Sequence, residues 1–387
     1  GEKYLSPCLT SVLAQNFKDF SVLMIDNGSS DGTRGEIEKW KDIFEKEGIK
    51  ARTIFLDKNI GFAGGHNLGI KEMLRGKNPP ISPFKKGGNI RYVCCLNQDI
   101  ILRPEFFRNI VEFMDAHLDC GSASGKLMSV RDDLFYANKR ELESLPAQAG
   151  EYTRKTSPNH SLSRRGTMDY DMLEKEFKII DSVGLKIFRS QRVIEKGQGE
   201  EDTGQYDKIE EVFGVSGAAP VYRIEALEDV KIPHTDHLLV MERELFEYFD
   251  EDFFSYKEDV DLAYRLRWRG WKSFTIPEAV AYHKRTAKDV TGRKSDFFAA
   301  LNRKNKSKFA NYHSQRNQLF LLVKNLPKLN FAVIWYEVKK FIYELIFEWS
   351  TFKAWIDTLK KIRVMLEKRR WIMGNKKIED EEMGKWF

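Results

Sequence analysis

Three carboxylates lie within the run 258–261, directly after the aromatic segment 253–256. They are Glu258, Asp259 and Asp261, and the apolar residues that follow them predict that a helix begins here. The helix macrodipole stabilises negative charge in a first turn, so these side chains could serve only the helix. A carboxylate beside another carboxylate is also a candidate general base, because its environment shifts its pKa. The spacing alone favours the first interpretation and leaves the second open.

Two further aspartates stand where predicted strands end. Asp26 closes the apolar run 20–25, where its carboxylate could bind a nucleobase or a ribose, or could form an Asx turn. Asp99 follows the strand predicted at 90–96 and could hold Mg²⁺ or Mn²⁺ together with nucleotide phosphates, or could cap the next helix. His283, shortly after a later predicted strand, could be a second metal ligand, although a single histidine is more often structural.

Two segments of small residues could approach a ligand closely. Residues 61–65 are predicted as a glycine-rich turn at a helix N-terminus, a feature that can cradle phosphates. They lack the Gly-x-Gly-x-x-Gly register, so a nicotinamide-dependent oxidoreductase is only weakly supported. The apolar stretch 212–219 contains Gly217 and Ala218, which suit a close approach of the backbone to a ligand.

The elements that must position these residues alternate along the first third of the chain. Strands are predicted at 20–25, 52–56 and 90–96, and helices at 33–47, 67–75 and 104–117. This alternation predicts an α/β sheet, in which functional groups collect at the carboxyl ends of strands. Such a domain usually opens with a strand, so we expect the natural chain to extend before Gly1. Residues 131–176 are predicted as a loop excursion, and 184–207 as a hairpin.

The composition excludes some classes of function. The chain of 387 residues has 64 basic and 58 acidic residues, an excess too small to indicate nucleic-acid binding. Cys94 and Cys95 are adjacent on a predicted strand and point to opposite faces, so they form no metal clip. Free thiols are typical of a reducing compartment. No uninterrupted apolar run reaches membrane-spanning length.

The character of the chain changes near residue 330. Apolar residues recur at three- and four-residue spacing from Phe331 to Leu366, and five of the eight tryptophans follow residue 330, among lysines and arginines. Helices of this kind are typical of a membrane-surface element, and a helical pair packed on the rest of the chain is the alternative. We slightly favour the membrane and predict two regions, 1–325 and 326–387.

Six motifs follow one another in a fixed order, at 26–33, 59–70, 96–99, 213–219, 253–265 and 277–283. With these motifs the sequence resembles the inverting glycosyltransferases of family 2, which have the GT-A fold, and the resemblance covers residues 4–325. Within that family it looks most like the rhamnosyltransferase-type enzymes of bacterial surface polysaccharide synthesis, which segments 181–185 and 315–319 also fit.

The resemblance implies a fold and a site. The fold would be α/β, with a mixed, mainly parallel central sheet flanked by helices and a C-terminal amphipathic helical extension. Asp259, in the pair Glu258–Asp259, would be the general base, and Gly217 and Ala218 would face the acceptor. Asp99 and His283 would hold Mg²⁺ or Mn²⁺. The donor nucleotide would be bound by Asp26, Asn27, Gly65, Asn67, Asn97, Gln98 and Asp99.

The implied reaction moves a sugar from a nucleotide-diphosphate donor, dTDP-rhamnose-like or a UDP-sugar, to a hydroxyl of a glycan or polyprenyl-linked acceptor. The enzyme would be cytoplasmic and peripheral on the inner face of the cell membrane. The Asp-x-Asp metal motif of the family stands here as Asn97-Gln98-Asp99, with a single carboxylate. This departure, with the expected missing strand, motivates one alternative, a catalytically silent glycosyltransferase-like binding or scaffold protein.

Overall fold

The computed structural model describes residues 2–75, 90–130, 170–234, 246–284 and 307–387 of the chain. The first elements alternate between helix and strand, as predicted from the sequence. Strands β1 and β2 pair in parallel, with Asp26 opposite Phe55. The first five elements are α1 (Glu2–Leu13), β1 (Val22–Asp26), α2 (Thr33–Lys46), β2 (Ala51–Phe55) and α3 (Gly61–Leu74).

A seven-stranded sheet forms the centre of the molecule. Its strands are β3 (Tyr92–Cys94), β4 (Ile100–Leu102), β5 (Cys120–Ser129), β6 (Ile180–Ser182), β9 (Glu210–Val212), β10 (Val221–Arg223) and β13 (Lys272–His283). The order is β3-β10-β5-β13-β4, with β6 beside β5 and β9 beside β13. The neighbours Val221 and Tyr222 on β10 belong to two different apolar cores, so packed side chains cover both faces of the sheet.

The central sheet is mixed and flanked by helices, as predicted, but it is less parallel than predicted. Among the described residues, only β5 and β13 pair in parallel within it, and its other strand pairs are antiparallel. The short strands β4, β6 and β9 pair through only two or three residues each. These short strands pair with the long strands in the antiparallel direction. Such pairs need no strand–helix–strand crossover, because only parallel neighbours require one.

The remaining elements of the first 250 residues are short. The predicted helix after Pro104 and the predicted hairpin are both present, the hairpin as β7 and β8. Of the predicted loop excursion, 131–169 lies outside the described residues, and 170–176 forms a helix instead. These elements are α4 (Phe106–Ala116), α5 (Tyr170–Glu176), β7 (Leu185–Ile187), β8 (Val193–Glu195), α6 (Ile224–Val230), β11 (Ile232–Pro233) and β12 (Phe246–Glu247).

The glycine-rich run 61–65 is not the predicted turn but the beginning of helix α3. Gly61 has a φ of +83°, and a Cβ there would lie 2.5 Å from the carbonyl oxygen of Phe254. A Cβ on Gly65 would lie 3.3 Å from Nδ2 of Asn27. Glycine at position 61 is therefore favoured both by its positive φ and by the close backbone of Phe254, whereas a side chain at position 65 would need only a small shift of Asn27.

Five helices complete the described chain. The helix predicted at the acidic run begins at Glu258, and α10 packs along α8. Met365 and Ile372 of α10 share an apolar core with Trp268 of α7. None of the helices in the described part of the chain combines the length and apolar character needed to cross a membrane. The helices are α7 (Glu258–Trp268), α8 (Lys308–Asn325), α9 (Phe331–Phe347), α10 (Trp349–Gly374) and α11 (Asp380–Gly384).

Candidate active site

The acidic pair at the start of α7 combines a buried residue, Glu258, with a half-buried one, Asp259, whose carboxylate is held by backbone N–H groups. Asp259 accepts hydrogen bonds from the N–H of Gly217, at 3.0 Å, and from the N–H of Val260, at 2.7 Å. A Cβ on Gly217 would lie 3.2 Å from Oδ2 of Asp259, so glycine permits this close approach. The segment predicted to face the acceptor thus lies against the predicted base.

The carboxyl groups of Asp259 and Glu258 both have raised pKa values, but their surroundings differ. Burial raises the pKa of Asp259, and the two backbone N–H donors oppose the rise only in part. Burial, followed by the charge of Asp259, raises the pKa of Glu258 to about 8. Within the described part of the chain, Oε2 of Glu258 is buried without a hydrogen-bond partner. A pKa of about 8 favours the protonated form of Glu258 at neutral pH, whereas the two backbone donors favour the charged form of Asp259.

The third carboxylate of the run has a different role. Asp261 is fully buried and pairs with Arg265 at 2.9 Å and with Lys324 at 2.7 Å. Its Oδ1 also accepts a hydrogen bond from Asn325. Because both of its oxygens are occupied by buried donors, Asp261 links α7 to α8 and does not face a substrate.

Asp99 and His283 come together at the ends of two strands. Nε2 of His283 lies 3.7 Å from Oδ1 of Asp99, and Nδ1 lies 2.8 Å from Oδ2 of Asp181. A second histidine nitrogen held by a carboxylate is the usual arrangement around a metal-binding histidine, since it fixes the tautomer and the ring. The predicted metal pair therefore has the donor chemistry of a divalent cation site with one carboxylate and one imidazole.

The ionisation of His283 reflects the same two carboxylates. Burial by itself lowers the pKa of His283, but hydrogen bonds to Asp181 and Asp99 outweigh it and raise the pKa to about 9. The imidazole thus carries a proton at neutral pH when only these carboxylates surround it. A cation bound at Nε2 would take the place of that proton.

Asp26 and Asn27 hold the polar turn after β1. Oδ1 of Asp26 accepts from the N–H of Ser29 at 3.0 Å, and Oδ2 pairs with Arg34 at 2.9 Å. Burial raises the pKa of Asp26, but these donors outweigh it and the net pKa is lowered. Asn27 accepts from the N–H of Ile60, at 2.9 Å. The turn is thereby fixed against the start of α3.

Asn67 has its hydrogen-bonding capacity filled by the protein. Its amide donates to the carbonyl of Phe249 and to Glu251, both at 2.8 Å, and its oxygen accepts from the N–H groups of Tyr248 and Phe249. The predicted donor contact of Asn67 stays a prediction, beside this structural role. Gln98, in contrast, is exposed.

A chain of backbone contacts brings the separate motifs together. Asn27 donates to the carbonyl of Gly61 at 2.9 Å, and the carbonyl of Phe254 accepts from the N–H of Ala63 at 3.3 Å. On the other side of the acidic pair, the N–H of Asn97 donates to the carbonyl of Ala218, at 3.0 Å. The motifs that were predicted to bind the donor, the metal and the acceptor and to supply the base therefore lie in one region, where the contacts link the segment after β1, the start of α3, the loop before α7 and the segment after β3.

Two functional contacts were not predicted. Asp181, the partner of His283, is a buried charged residue in the short strand β6, next to Ile180 and Ser182, and nothing in this local sequence indicated its contact. Asn317 of α8 donates to backbone carbonyls next to the acidic pair. It belongs to a segment that fits the family pattern, but nothing in its local sequence indicates which residues it contacts.

Residues 1–168 match the model of the family described as "Glycosyl transferase family 2". This match covers less than half of the chain, and it shows that the N-terminal part carries a domain of that family. It agrees with the family predicted from the ordered motifs and leaves the rhamnosyltransferase-type branch a prediction. No curated protein sequence matches the chain.

Two solved structures are similar to the chain at low sequence identity. The first is "Crystal structure of GalNAc-T7 with UDP, GalNAc and Mn2+", with 11% sequence identity and a TM-score of 0.49. The match covers 96% of this chain and 53% of the chain in that structure. The second is the mannosyltransferase PcManGT from Pyrobaculum calidifontis in complex with GDP-Man and Mn²⁺, with 12% sequence identity and a TM-score of 0.40. This match covers 96% of this chain and 84% of the chain in that structure. This chain spans about half the length of the first. Similarity at this level says nothing of what this chain itself binds.

Proposed function

We propose that this chain, whose N-terminal part carries a glycosyltransferase family 2 domain, transfers a sugar from a nucleotide-diphosphate donor to an acceptor hydroxyl with inversion at the anomeric carbon. The observation that carries the proposal is the half-buried carboxylate of Asp259, which two backbone N–H groups orient next to the Gly217 segment. The donor is a dTDP-rhamnose-like nucleotide or a UDP-sugar. The acceptor is a glycan or a polyprenyl-linked glycan of cell-surface polysaccharide synthesis.

In the proposed reaction, Asp259 removes the proton of the acceptor hydroxyl as that oxygen attacks the anomeric carbon. The bond from this carbon to the diphosphate oxygen breaks on the opposite face, and a nucleoside diphosphate leaves with the electron pair. General-base assistance of this kind is worth about 10²- to 10⁴-fold in rate. A protonated Glu258 places no negative charge beside Asp259, and the raised pKa of Asp259 makes its carboxylate a stronger base when it is ionised.

Asp99 and His283 are the residues that would hold a divalent cation, Mg²⁺ or Mn²⁺. Their chemistry suits it, because Asp99 offers a carboxylate oxygen and Nε2 of His283 lies on the side of the ring away from Asp181. When bound, the cation neutralises negative charge that develops on the leaving diphosphate. On the nucleotide side we assign Asp26, Asn27 and the Asn97–Asp99 segment to the donor.

The test compares Asp259→Asn with Asp115→Asn, an identical exchange at an exposed residue of α4 that pairs with Arg91. Both variants and the unaltered chain are assayed with UDP- and dTDP-sugars, with and without Mn²⁺, and titrated with UDP. We expect Asp259→Asn to bind UDP as tightly as the unaltered chain and to lose about 10²- to 10⁴-fold in kcat. Asp115→Asn should keep both properties.

Full activity in Asp259→Asn would end the assignment of this carboxylate as the base. A chain that binds UDP but transfers no sugar from any donor would favour the alternative, a catalytically silent binding or scaffold protein. Sugar transfer that does not depend on Mn²⁺ or Mg²⁺ would remove the cation from the proposal.

We further propose that α9 attaches the protein to an anionic membrane surface at the cytoplasmic face. What supports this is the reversed polarity of the helix, which directs Glu337 and Glu344 inward and its large apolar residues outward. Glu344 accepts from Nε1 of Trp355 on α10 at 2.8 Å. The exposed apolar residues of α9 are Phe331, Ile334, Trp335, Val338, Phe341, Ile342, Leu345, Ile346 and Phe347.

An apolar helix face of this size is stabilised when it is buried in the apolar part of a membrane surface. Lys360 and Arg363, which are exposed on the adjoining helix α10, can bind anionic lipid headgroups. The four cysteines are free thiols, which fits a reducing compartment. A peripheral position on the inner face of the cell membrane would bring the active site to a polyprenyl-linked acceptor.

The membrane proposal is tested with the double variant Trp335→Glu, Ile342→Glu, which places charge on the exposed face without touching the buried one. We expect it to lose sedimentation with vesicles of phosphatidylglycerol and phosphatidylethanolamine, while its Tm is unchanged. The control, Tyr343→Glu, changes a half-buried residue outside that apolar face. Undiminished sedimentation of the double variant would refute the proposal, and a dimer that the variant dissociates would identify a second copy of the chain as the occupant.

A further inference from the structure

The loop that leads into the acidic pair has a backbone conformation that its residues do not favour. Phe254, Tyr256 and Lys257 have φ values of +61°, +73° and +67°, although none of them is glycine. Positive φ is unfavourable for residues with a Cβ, and it persists where surrounding contacts impose it. The loop ends directly at Glu258, so its conformation determines where the first turn of α7 begins and where Asp259 points.

One buried side chain contacts most of this loop. Nδ2 of Asn317, on α8, lies 2.9 Å from the carbonyl oxygen of Phe253, 2.9 Å from that of Ser255 and 2.6 Å from that of Tyr256. Asn317 is completely buried. Its amide group therefore gathers carbonyls from both sides of Phe254 around one nitrogen, which an extended loop could not achieve.

The neighbours of Asn317 on α8 hold the two ends of the same loop. Nη2 of Arg316 donates to the carbonyls of Asp252, at 2.8 Å, and Phe253, at 3.0 Å. Oε1 of Gln318 accepts from Nζ of Lys257 at 2.7 Å. Three consecutive residues of one helix therefore contact the loop from its entry to its exit.

The opposite side of the loop lies against the donor half of the site. The carbonyl of Phe254 accepts from the N–H of Ala63 and leaves no room for a side chain at Gly61. The loop is thus enclosed between α8 and the start of α3, which in turn contacts Asn27. A shift of this loop would move the base relative to the nucleotide side of the site.

We propose that Asn317, assisted by Arg316, is a positioning residue that holds the 253–257 loop in its strained conformation and thereby aims Asp259 at the acceptor. The inference rests on the proposed function of Asp259 and adds a role for α8 in catalysis. Asn317 acts through the loop and touches neither the carboxylate of Asp259 nor the reacting atoms. Its removal should misplace the base while the nucleotide side is left intact.

The test uses Asn317→Ala, Arg316→Ala and Arg316→Lys in the full chain. We expect kcat to fall about 10- to 100-fold in Asn317→Ala, because a misplacement of about 1 Å can cost 10²-fold, while the Kd for UDP changes less than about threefold. Arg316→Ala should lower kcat in the same direction, and Arg316→Lys, which keeps a donor, should restore part of the loss. The control Asn109→Ala also removes an amide-to-carbonyl bond, from Asn109 to Glu278, and should leave kcat unchanged.

Hydrogen–deuterium exchange supplies a second measurement that needs no activity. We expect faster exchange in Asn317→Ala for the amides of 253–260, with protection elsewhere as in the unaltered chain. Unchanged exchange of these amides would refute the role of Asn317 in holding the loop, even if the chain proved to be no enzyme. Faster exchange of these amides with an unchanged kcat would refute the role of Asn317 in positioning Asp259. The role of Asp259 as the base would still be tested separately, by Asp259→Asn. If Asn317→Ala fails to fold, the partly exposed Arg316 decides by the same two measurements.

Discussion

At the scale of single residues, the three acids of the 258–261 run differ through their partners and not through their spacing. Asp261 is neutralised by Arg265 and Lys324, whereas Glu258 has one oxygen without a hydrogen-bond partner among the described residues. Asp259 accepts from the backbone N–H groups of Gly217 and Val260, which favour its charged form. The pair at the helix start is therefore asymmetric, and Asp259 is the member that we propose as the base.

The raised pKa of Glu258 predicts a pH-dependent cost in stability. A raised folded-state pKa gives stability that is complete below about 4.5, the ordinary value, and is lost as the pH rises towards about 8. Glu258→Gln removes this titration. As the pH rises through that window, the difference in free energy of unfolding between the variant and the unaltered chain should therefore increase in favour of the variant, by up to ~1.4 kcal/mol per pH unit. Urea unfolding from pH 5 to 9 measures it. A difference that does not vary with pH, as expected for the exposed Glu225→Gln, would contradict the assignment.

The pairing of His283 with Asp181 predicts an effect on metal affinity. Asp181→Asn keeps the volume of the side chain but removes the charge that orients the imidazole and makes it more basic. Loss of such a partner typically weakens metal binding about 10- to 100-fold. Calorimetric titration of Mn²⁺ in the presence of UDP measures the change, with Asp207→Asn, at an exposed carboxylate that pairs with Lys126, as the control. Equal Mn²⁺ affinity in both variants would argue against His283 as a ligand.

At the scale of elements, α10 is joined to the site through buried charge. Nζ of Lys368 lies 2.8 Å from Glu247, 2.5 Å from Asp250 and 2.9 Å from Asp252, just before the strained loop. Burial alone would lower the pKa of Lys368, but these carboxylates outweigh it and raise the pKa well above its ordinary value. A C-terminal helix thus supplies the cation that a buried acidic segment needs.

This network predicts a large difference between two lysines of α10 that contact the same acidic segment. Lys368→Met removes the buried cation that Glu247, Asp250 and Asp252 share, and it should cost about 3–5 kcal/mol in the free energy of unfolding. Lys361→Met removes an ion pair to Asp252 from a side chain that is 51% exposed, and should cost no more than about 1 kcal/mol. Chemical denaturation of both variants measures the difference. Similar small costs would mean that solvent reaches the network.

At the scale of the whole molecule, the C-terminal helices share a core with the active-site helix. Met365 and Met383 are fully buried in the same apolar cluster as Val260 and Trp268 of α7. Among the described helices, α9 has the largest set of exposed apolar residues, and α10 has a smaller set that includes Trp349, Ile356, Leu359 and Leu366. The packing of α10 on the rest of the chain is the alternative that the structure shows. The division at residues 325 and 326 and the membrane attachment both stay predictions.

The shared core predicts that a chain ending at residue 325 will not fold on its own. Its loss would expose the apolar surface of α7 and α8 and leave Asp250 and Asp252 without Lys368. We expect near-ultraviolet circular dichroism and the cooperative thermal transition to disappear. A truncated chain with an unchanged Tm would show instead that residues 326–387 form a separable region.

The sequence by itself determined the α/β class, the order of the motifs, the start of α7 at Glu258 and the apolar periodicity of the last helices. These features follow from local patterns, because helix and strand periods, caps and turn residues depend on neighbours in the chain. The family resemblance also named Asp259 before any partner was visible.

Only the tertiary structure decided which partners those residues have. Asp181 meets His283 across 102 positions, and Asn317 meets Ser255 across 62. It also showed that Gly61 opens a helix beneath Phe254 and that most pairs in the central sheet are antiparallel. Contacts between distant segments depend on how the elements pack and on which groups become buried together, and a local pattern contains neither.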